Sequence, residues 1–387
     1  MTYAYIVDAV RSPRGKKKGS LVNTHPMDLM AHVLSGLAAR QPKLPTERIE
    51  DVILGCVTPV GEQGFNIARG AALNAGWPIE VPGTTINRFC GSGQQAVHFA
   101  AQAVMAGSMD VVVAGGIESM LRVPMGSDGV GGDGPLSQKF LERYPDLVPQ
   151  GLSAEMVAEK WGLTRKDVDT FAAESQRRAA IATEQGRFKN EILPIEAINA
   201  SGEKVLLSRD EHQRPSTTVE SLAALQPAFK GDGVITAGNS SGIVDGASAV
   251  LVVSEAALKK YGLTPRARIT AMSVAGSEPK IMLTGPIPAT KMVLEKAKLK
   301  LSDIDLFEVN EAFASVPLAW AKELGADLAK TNVNGGAIAL GHPLGATGGI
   351  LFATLLNELE RTKQRYGLIT MCIGYGMGTA TVIDRQV

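Results

Sequence analysis

An α/β fold built from two copies of one unit, with a long insertion in the first copy, is the architecture this 387-residue sequence predicts. Two observations carry the prediction. Short, continuous, β-branched apolar runs alternate with apolar helical patterns, which is the signature of strands buried on both faces between helices. The order of these segments is then repeated along the chain. A third observation sets the insertion apart: the stretch from about Glu118 to Asn239 has a different texture, with a Gly/Asp run near its start and a polar helical pattern after it.

The elements follow in order. Met1 to Val10 reads as a strand running into a polar loop, and Met27 to Ala39 carries Met30, Val33, Leu34 and Leu37 at helical spacing. In the first half the strand Asp51–Gly55 leads to Thr84–Asn87, and this second strand is expected to continue to Phe89. A Gly-rich turn at Cys90-Gly91-Ser92-Gly93 follows, then an apolar helix from Gln94 to Met105, then the strand Val111–Ala114. In the second half Ile304–Glu308 leads to Thr331–Asn334. A turn ending Gly345-Ala346-Thr347-Gly348 comes next, then the helix Thr347–Leu359 and the strand Gly367–Cys372. This half closes with a hairpin through Gly374–Gly378 into Thr379–Ile383, whereas the matching strand of the first half, Ala247–Val253, waits until after the insertion. Within the insertion Gly126–Gly134 is a flexible run. Thr164-Arg165-Lys166-Asp167 opens a charged helix as an approximate capping box, and Ala154–Gly186 has the look of a helical, surface-lying segment.

Lys plus Arg and Asp plus Glu both number 39, so the balanced charge implies no polyanion partner, and aromatics at 5% leave no stacking platform for nucleic acid. The basic run Arg14–Lys18 reads as a solvated loop. No stretch has the length of uninterrupted apolar residues that membrane insertion needs. The N-terminal segment lacks the apolar core of a signal peptide, and Arg385-Gln386-Val387 is not the peroxisomal tripeptide, so a cytoplasmic chain is expected. Three scattered cysteines form neither a disulfide framework nor a zinc site.

Cys90 stands where a strand turns into a helix among glycines. A thiolate there gains from the unpaired amides and the helix dipole, so a lowered pKa is expected, and the glycines clear an approach to the sulfur. His342, between Gly341 and Pro343 in a turn before a buried helix, is placed to take a proton from a nearby thiol and to polarise a thioester carbonyl. Its alternative is a turn histidine bonded to backbone. Cys372 ends a buried strand beside Gly374 and Gly376, whose amides can form an oxyanion hole. By itself it reads equally well as core filler. Asn310 ends a strand where its amide can fix a water or a carbonyl oxygen. Cys56 and His98 read as packed core residues.

Together these segments resemble the thiolase family. Asn87-Arg88-Phe89-Cys90-Gly91-Ser92-Gly93 is similar to its nucleophile motif. Asn310-Glu311-Ala312-Phe313-Ala314, Gly341-His342-Pro343 and Cys372-Ile373-Gly374 resemble its three other catalytic loops. Thr236–Gly242 resembles its CoA-side segment. The resemblance implies a five-layered αβαβα core of two similar halves. The halves would be 1–117, completed by about 240–266, and 267–387, with an inserted loop domain at 118–239 for CoA and acyl binding. It implies that Cys90 carries the acyl group, that His342 activates it, and that Cys372 is the acid/base at the α-carbon. Asn310 with a water, together with His342, would hold one thioester oxygen, and the amides of Cys90 and Gly374 the other. Ser241 would lie by the pantetheine arm and Arg214 near the CoA phosphate. Coenzyme A enters as substrate; no permanently bound cofactor and no metal is implied.

The activity implied is thiolysis of 3-ketoacyl-CoA to acetyl-CoA and a shortened acyl-CoA, as in β-oxidation, by a homodimer or homotetramer that can join another β-oxidation enzyme. Pro149-Gln150-Gly151 stands where biosynthetic acetoacetyl-CoA thiolases usually carry a His-Met pair, which favours the degradative reading over the biosynthetic one. A ketoacyl synthase would replace Cys372 with histidine. A non-catalytic acyl-CoA-binding protein would not need every reactive side chain to be present.

Overall fold

The computed structural model describes residues 3–387. Twelve strands are present among them: β1 (Ala4–Arg11), β2 (Gly15–Lys16), β3 (Asp51–Gly55), β4 (Thr84–Ile86), β5 (Val111–Ser119), β6 (Ile195–Ile198), β7 (Lys204–Leu207), β8 (Val244–Val253), β9 (Ala267–Gly276), β10 (Leu306–Val309), β11 (Tyr366–Ile373) and β12 (Met377–Asp384). The helices that frame them are α1 (Pro26–Arg40), α2 (Ile67–Asn74), α3 (Ser92–Met105), α4 (Gln138–Arg143), α5 (Gln150–Lys160), α6 (Arg165–Glu184), α7 (Val219–Ala223), α8 (Glu255–Tyr261), α9 (Pro286–Ala297), α10 (Ser315–Leu324), α11 (Ala337–Leu340) and α12 (Leu344–Arg361).

The repeat read in the sequence is a repeat of topology. In the first half β4, β3, β5, β8 and β1 lie side by side; in the second, β10, β11, β12 and β9 follow the same order. β3 pairs parallel with β5, as β10 does with β11. β8 pairs antiparallel with both β5 and β1, as β12 does with both β11 and β9. The halves meet where β1 pairs antiparallel with β9 through Ala4–Ile269 and Ile6–Ala267. The counterpart of β4 is reduced to a single bridge between Phe307 and Thr331, so the strand expected at Thr331–Asn334 does not form. Asn332 explains this: it adopts φ +49°, and its side chain exchanges hydrogen bonds with the backbone of Val309 instead.

Five layers follow from which side chains face which way. Val111 and Val113 on β5 point into an outer core with Leu29, Val33 and Leu34 of α1 and Ile67 and Ala71 of α2. Val112 and Ala114, one residue out of phase, point inward to α3 and α12. The other sides of α3 and α12 meet Ile369, Met371 and Ile373 of β11. Beyond that half-sheet, Phe307, Leu368 and Val382 pack on α9 and α10 around Trp320. The two central helices are therefore apolar all round, which is why their sequences read as continuously hydrophobic.

The segment between β5 and β8 carries α4–α7 and the β6–β7 hairpin. Thr164 and Asp167 form the expected capping box at α6. The helical stretch expected over 154–186 is two helices broken around Gly162 (φ +61°), each with one exposed face and one buried one. Ala154, Val157, Val168 and Ala172 are buried, because α5 and α6 wedge against α10 and α11. A buried ion cluster ties this segment to β1: Arg11 makes bonds of 2.7 and 2.9 Å to Asp210 and 2.7 Å to Glu191. Arg14, expected in a solvated loop, is also buried; its guanidinium Nη1 lies 3.4 Å from the Gly341 carbonyl, while Lys16, Lys17 and Lys18 are exposed as expected.

Candidate active site

Backbone-to-backbone packing of the N-terminal turns of α3 and α12 builds the site. A Cβ at Gly93 would stand 2.5 Å from the Gly345 carbonyl oxygen, and one at Gly348 would strike the amide of Gln94. Glycine at these positions is what lets the two helices approach so closely, and it brings the turn bearing Cys90 beside the turn bearing His342.

The strand before Cys90 ends at Ile86, three residues short of expectation, because 87–92 is a tightly tied turn. Asn87 Oδ1 accepts from the Phe89 amide at 2.8 Å. Ser92 Oγ accepts from Arg88 N at 2.8 Å and donates to the Phe89 carbonyl at 2.6 Å. These bonds hold Phe89 at φ +45°, a conformation that costs a non-glycine residue on the order of 1 kcal/mol or more. The Phe89 ring stacks edge-on against Tyr375, itself at φ +62°, with centroids 5.2 Å apart.

Cys90 is only 5% exposed. Its thiol does not have the lowered pKa expected from its place before a helix. Burial pushes it up to about 12, against the relief given by its own backbone amide and the Gln150 side chain. Magnitudes decide this: a helix terminus contributes up to about 2 kcal/mol, whereas full burial of a charge costs as much as about 4–7 kcal/mol. The resting group is a neutral thiol. Cys372, fully buried on β11, also has a raised pKa, first from burial and then from the nearby charge of Cys90. A Cβ on Gly91 would meet the Ile373 side chain, so the Cys90 turn rests on the end of β11.

His342 is buried, and burial followed by the charge of Arg14 lowers its pKa to about 3. Its hydrogen bonds fix which nitrogen carries the proton. Thr347 Oγ1 donates its single proton to the Pro343 carbonyl at 3.0 Å, so it accepts from Nδ1–H of His342 at 2.6 Å. Nε2 is then the bare, basic nitrogen, and it accepts from Asn310 Nδ2 at 3.2 Å. Among the described residues, buried Asn310 Oδ1 has no hydrogen-bond partner. Gly341 at φ +93° and the bond from His342 N to the Gly242 carbonyl at 2.9 Å aim the ring.

Ser241 donates its amide to the Ala312 carbonyl at 2.9 Å, so the Thr236–Gly242 segment runs alongside the Asn310 loop. Arg214 is exposed; its amide is held by Gln176 Oε1 at 2.8 Å, and its charge is felt at His212, which lies against Gly242. Cys56 is buried in the outer core, as read. His98 is fully buried, with Nε2 2.7 Å from Thr381 Oγ1. A cavity of about 270 Å³ opens onto Cys90 and Gly374, walled by Val57, Phe89, Met125, Val148, Met282, Leu344 and Tyr375, with Thr58, Asp128 and Gln150 as polar groups.

Sequence alone does not mark Gln150 and Glu118 as groups of the site: Gln150 stands out there only as a departure from a His-Met pair, and Glu118 only as the start of the insertion. Glu118 lies on β5, which runs two residues beyond the expected boundary at 117.

A duplicated five-layered core with two buried thiols beside a neutral histidine is the framework of a thiol-dependent acyl-transfer enzyme. The sequence matches the family profile described as thiolase, N-terminal domain, over residues 4–256, and that described as thiolase, C-terminal domain, over 263–385. The chain belongs to the thiolase family. It is 49% identical to a protein named steroid 3-ketoacyl-CoA thiolase FadA6 from Mycobacterium tuberculosis, over all of this chain and 95% of that one. It is 48% identical to a 3-ketoacyl-CoA thiolase of Vibrio cholerae, over the full length of both. A 3-ketoacyl-CoA thiolase of Citrobacter koseri is 49% identical, over all of this chain and 99% of the other.

Proposed function

We propose that the chain cleaves 3-ketoacyl-CoA with CoA by a ping-pong reaction in which Cys90 holds the shortened acyl group. The observation that carries this reading is the fusion of the α3 and α12 N-termini, which puts the Cys90 turn against the His342 loop. Nε2 of His342 takes the thiol proton as Cys90 attacks the 3-keto carbon. The bond between the α-carbon and that carbon breaks, and Cys372 protonates the departing acetyl-CoA carbanion. His342 passes its proton to the Cys372 thiolate, and the freed Nε2 takes the proton of the incoming CoA thiol, whose sulfur attacks the acyl-enzyme; the released Cys90 thiolate recovers that proton from His342. Asn310 with a water, together with His342, holds one thioester oxygen, and the amides of Cys90 and Gly374 the other. A neutral Cys90 at rest suits this scheme, since the anion forms only as the base accepts the proton.

The segment 118–239 takes the CoA and acyl parts, with Arg214 by a phosphate, and Ser241, just past its end, lies by the pantetheine arm. The cores are 1–117 with 240–266, and 267–387. Because thiolysis leaves the whole shortened chain on Cys90, the cavity there measures the substrate. It has a volume of about 270 Å³ and apolar walls in Val57, Met125, Val148, Met282 and Leu344, a lining that suits an acyl chain. This favours the degradative, broader-chain reading over the biosynthetic acetoacetyl-CoA one. A homodimer or homotetramer is the assembly that goes with this reading, and the exposed apolar side chains of Phe65 and Ile79 suit a subunit contact; the same reading allows a partner β-oxidation enzyme. A cytoplasmic setting keeps the three free cysteines reduced.

The test is to incubate the protein with 3-ketoacyl-CoAs of increasing chain length, without free CoA, and to weigh the Cys90 peptide. An acyl group two carbons shorter than the substrate is expected on Cys90. Its appearance on Cys372, or nowhere, overturns the assignment; retention of acetoacetyl-derived acetyl alone favours the biosynthetic reading.

A further inference from the structure

We infer that Glu118 is a positioning residue that couples the His342 loop to the Cys90 turn. This rests on the roles just proposed for those two groups. Glu118 is fully buried on β5, and its carboxylate gathers three separate segments. Oε2 accepts from Val57 N at 2.8 Å and from Gly345 N at 2.9 Å; Oε1 accepts from Thr58 N and from Gln63 Nε2, both at 3.1 Å. Gly345 lies in the first turn of α12, three residues after His342. From Val57 the bonds continue: its carbonyl accepts from Asn87 Nδ2 at 2.9 Å, and Asn87 Oδ1 holds the amide of Phe89, the neighbour of Cys90. An unbroken hydrogen-bonded path therefore runs from the base's helix through Glu118 to the nucleophile's turn. Val57 and Leu344, on either side of the path, pack directly with Cys90.

The chemistry of the cradle requires an ionised carboxylate. All four close partners are N–H donors, and the one other neighbour is Cys56 Sγ at 4.0 Å. Burial raises the Glu118 pKa, and the four donors oppose that rise. An anion here also opposes thiolate formation at Cys90. Electrostatics at the nucleophile alone would select against this residue, so its use is geometric: it satisfies the N-terminal amide of α12 and fixes the distance between two turns.

The experiment compares wild type, Glu118→Gln and Glu118→Asp. It measures exchange between labelled CoA and acetyl-CoA, kcat and KM for thiolysis, the unfolding midpoint in urea, and the pH dependence of Cys90 labelling by iodoacetamide. The titratable groups around Cys90 are Glu118 from β5, Cys372 from β11, His342 before α12 and Asp128 in the cavity wall. In Glu118→Gln, exchange and kcat are expected to fall by about tenfold to a hundredfold, the scale of a misplacement near 1 Å, with KM little changed. Labelling should move to lower pH, because the nearby anion is gone. Glu118→Asp, which keeps the charge and loses reach, should lose exchange without moving the labelling profile; it carries the test if the amide variant does not fold. Wild-type exchange in folded Glu118→Asp, or a fall in kcat/KM carried by KM alone, overturns the inference. Loss of activity only in proportion to unfolded protein also overturns it. Absence of Cys90 acylation in the wild type would instead remove the reading on which the inference rests.

Discussion

Thr347→Val isolates one hydrogen bond that the proposed mechanism needs. Valine keeps nearly the shape of threonine but offers no acceptor to Nδ1–H of His342, now bonded at 2.6 Å, and gives nothing to the Pro343 carbonyl at 3.0 Å. Leaving a buried donor unpaired costs about 1–3 kcal/mol, and that cost falls where the ring must be held in one tautomer. The cost grows as the ring becomes imidazolium, because a hydrogen bond from a charged donor is roughly twice as strong as a neutral one. At about 1.4 kcal/mol per tenfold in rate, kcat should fall on the order of ten- to a hundredfold. KM should change little, because Thr347 is buried behind the ring and lines no part of the cavity at Cys90. The assay is steady-state thiolysis of a 3-ketoacyl-CoA, with a urea midpoint on the same sample to confirm folding. A folded Thr347→Val with wild-type kcat refutes the assignment of Nε2 as the base.

Two further outcomes follow from the packing and the buried histidines. Gly93→Ala places a methyl 2.5 Å from the Gly345 carbonyl oxygen. It should destabilise the protein by about 1–3 kcal/mol, as overpacking does, and lower kcat by parting the two turns; urea unfolding and thiolysis measure both. Burial holds the pKa of His98 and His342 down to about 3, and burial with Arg214, Arg14 and Lys16 holds His212 to about 4. From pH 6.5 down to those values the unfolded chain binds more protons than the native one. Stability therefore falls as pH falls, by up to about 1.4 kcal/mol per pH unit for each group. Urea midpoints between pH 7 and pH 4 should show this loss, with a shallower slope in His98→Gln; an equal slope in that variant contradicts the assignment.

The fold was legible because its signals are local and repeated. Continuous apolar runs such as Val111–Val113 and the all-round apolar helix Thr347–Leu359 report burial on both sides directly, and the order of elements recurs in each half. What sequence reading missed depends on contacts made across the fold. Thr331–Asn334 has strand-like residues, but Asn332 satisfies Val309 through its side chain and ends the pairing at one bridge. Ala154–Gly186 reads as polar because its exposed faces are charged, while a narrow stripe of Ala and Val is buried against the second half. Cys90, His342, Cys372 and Asn310 were visible through the glycines and strand ends around them. The raised pKa of Cys90 was not, because helix position is written in the neighbouring residues and depth of burial is not. Glu118 offered no local signal at all, since its four donors lie far from it in the chain.

Exchange of labelled CoA into acetyl-CoA, run beside full thiolysis on Cys372→Ala, tests the proposed division of the two thiols most directly. Exchange makes and breaks the Cys90 thioester without touching a carbon–carbon bond, so it needs Cys90 and His342 but no proton transfer at the α-carbon. Folded Cys372→Ala is expected to lose thiolysis by about a hundredfold or more while still exchanging, and Cys90→Ala is expected to lose both. Loss of exchange in Cys372→Ala as complete as in Cys90→Ala would contradict the separate roles assigned to Cys90 and Cys372.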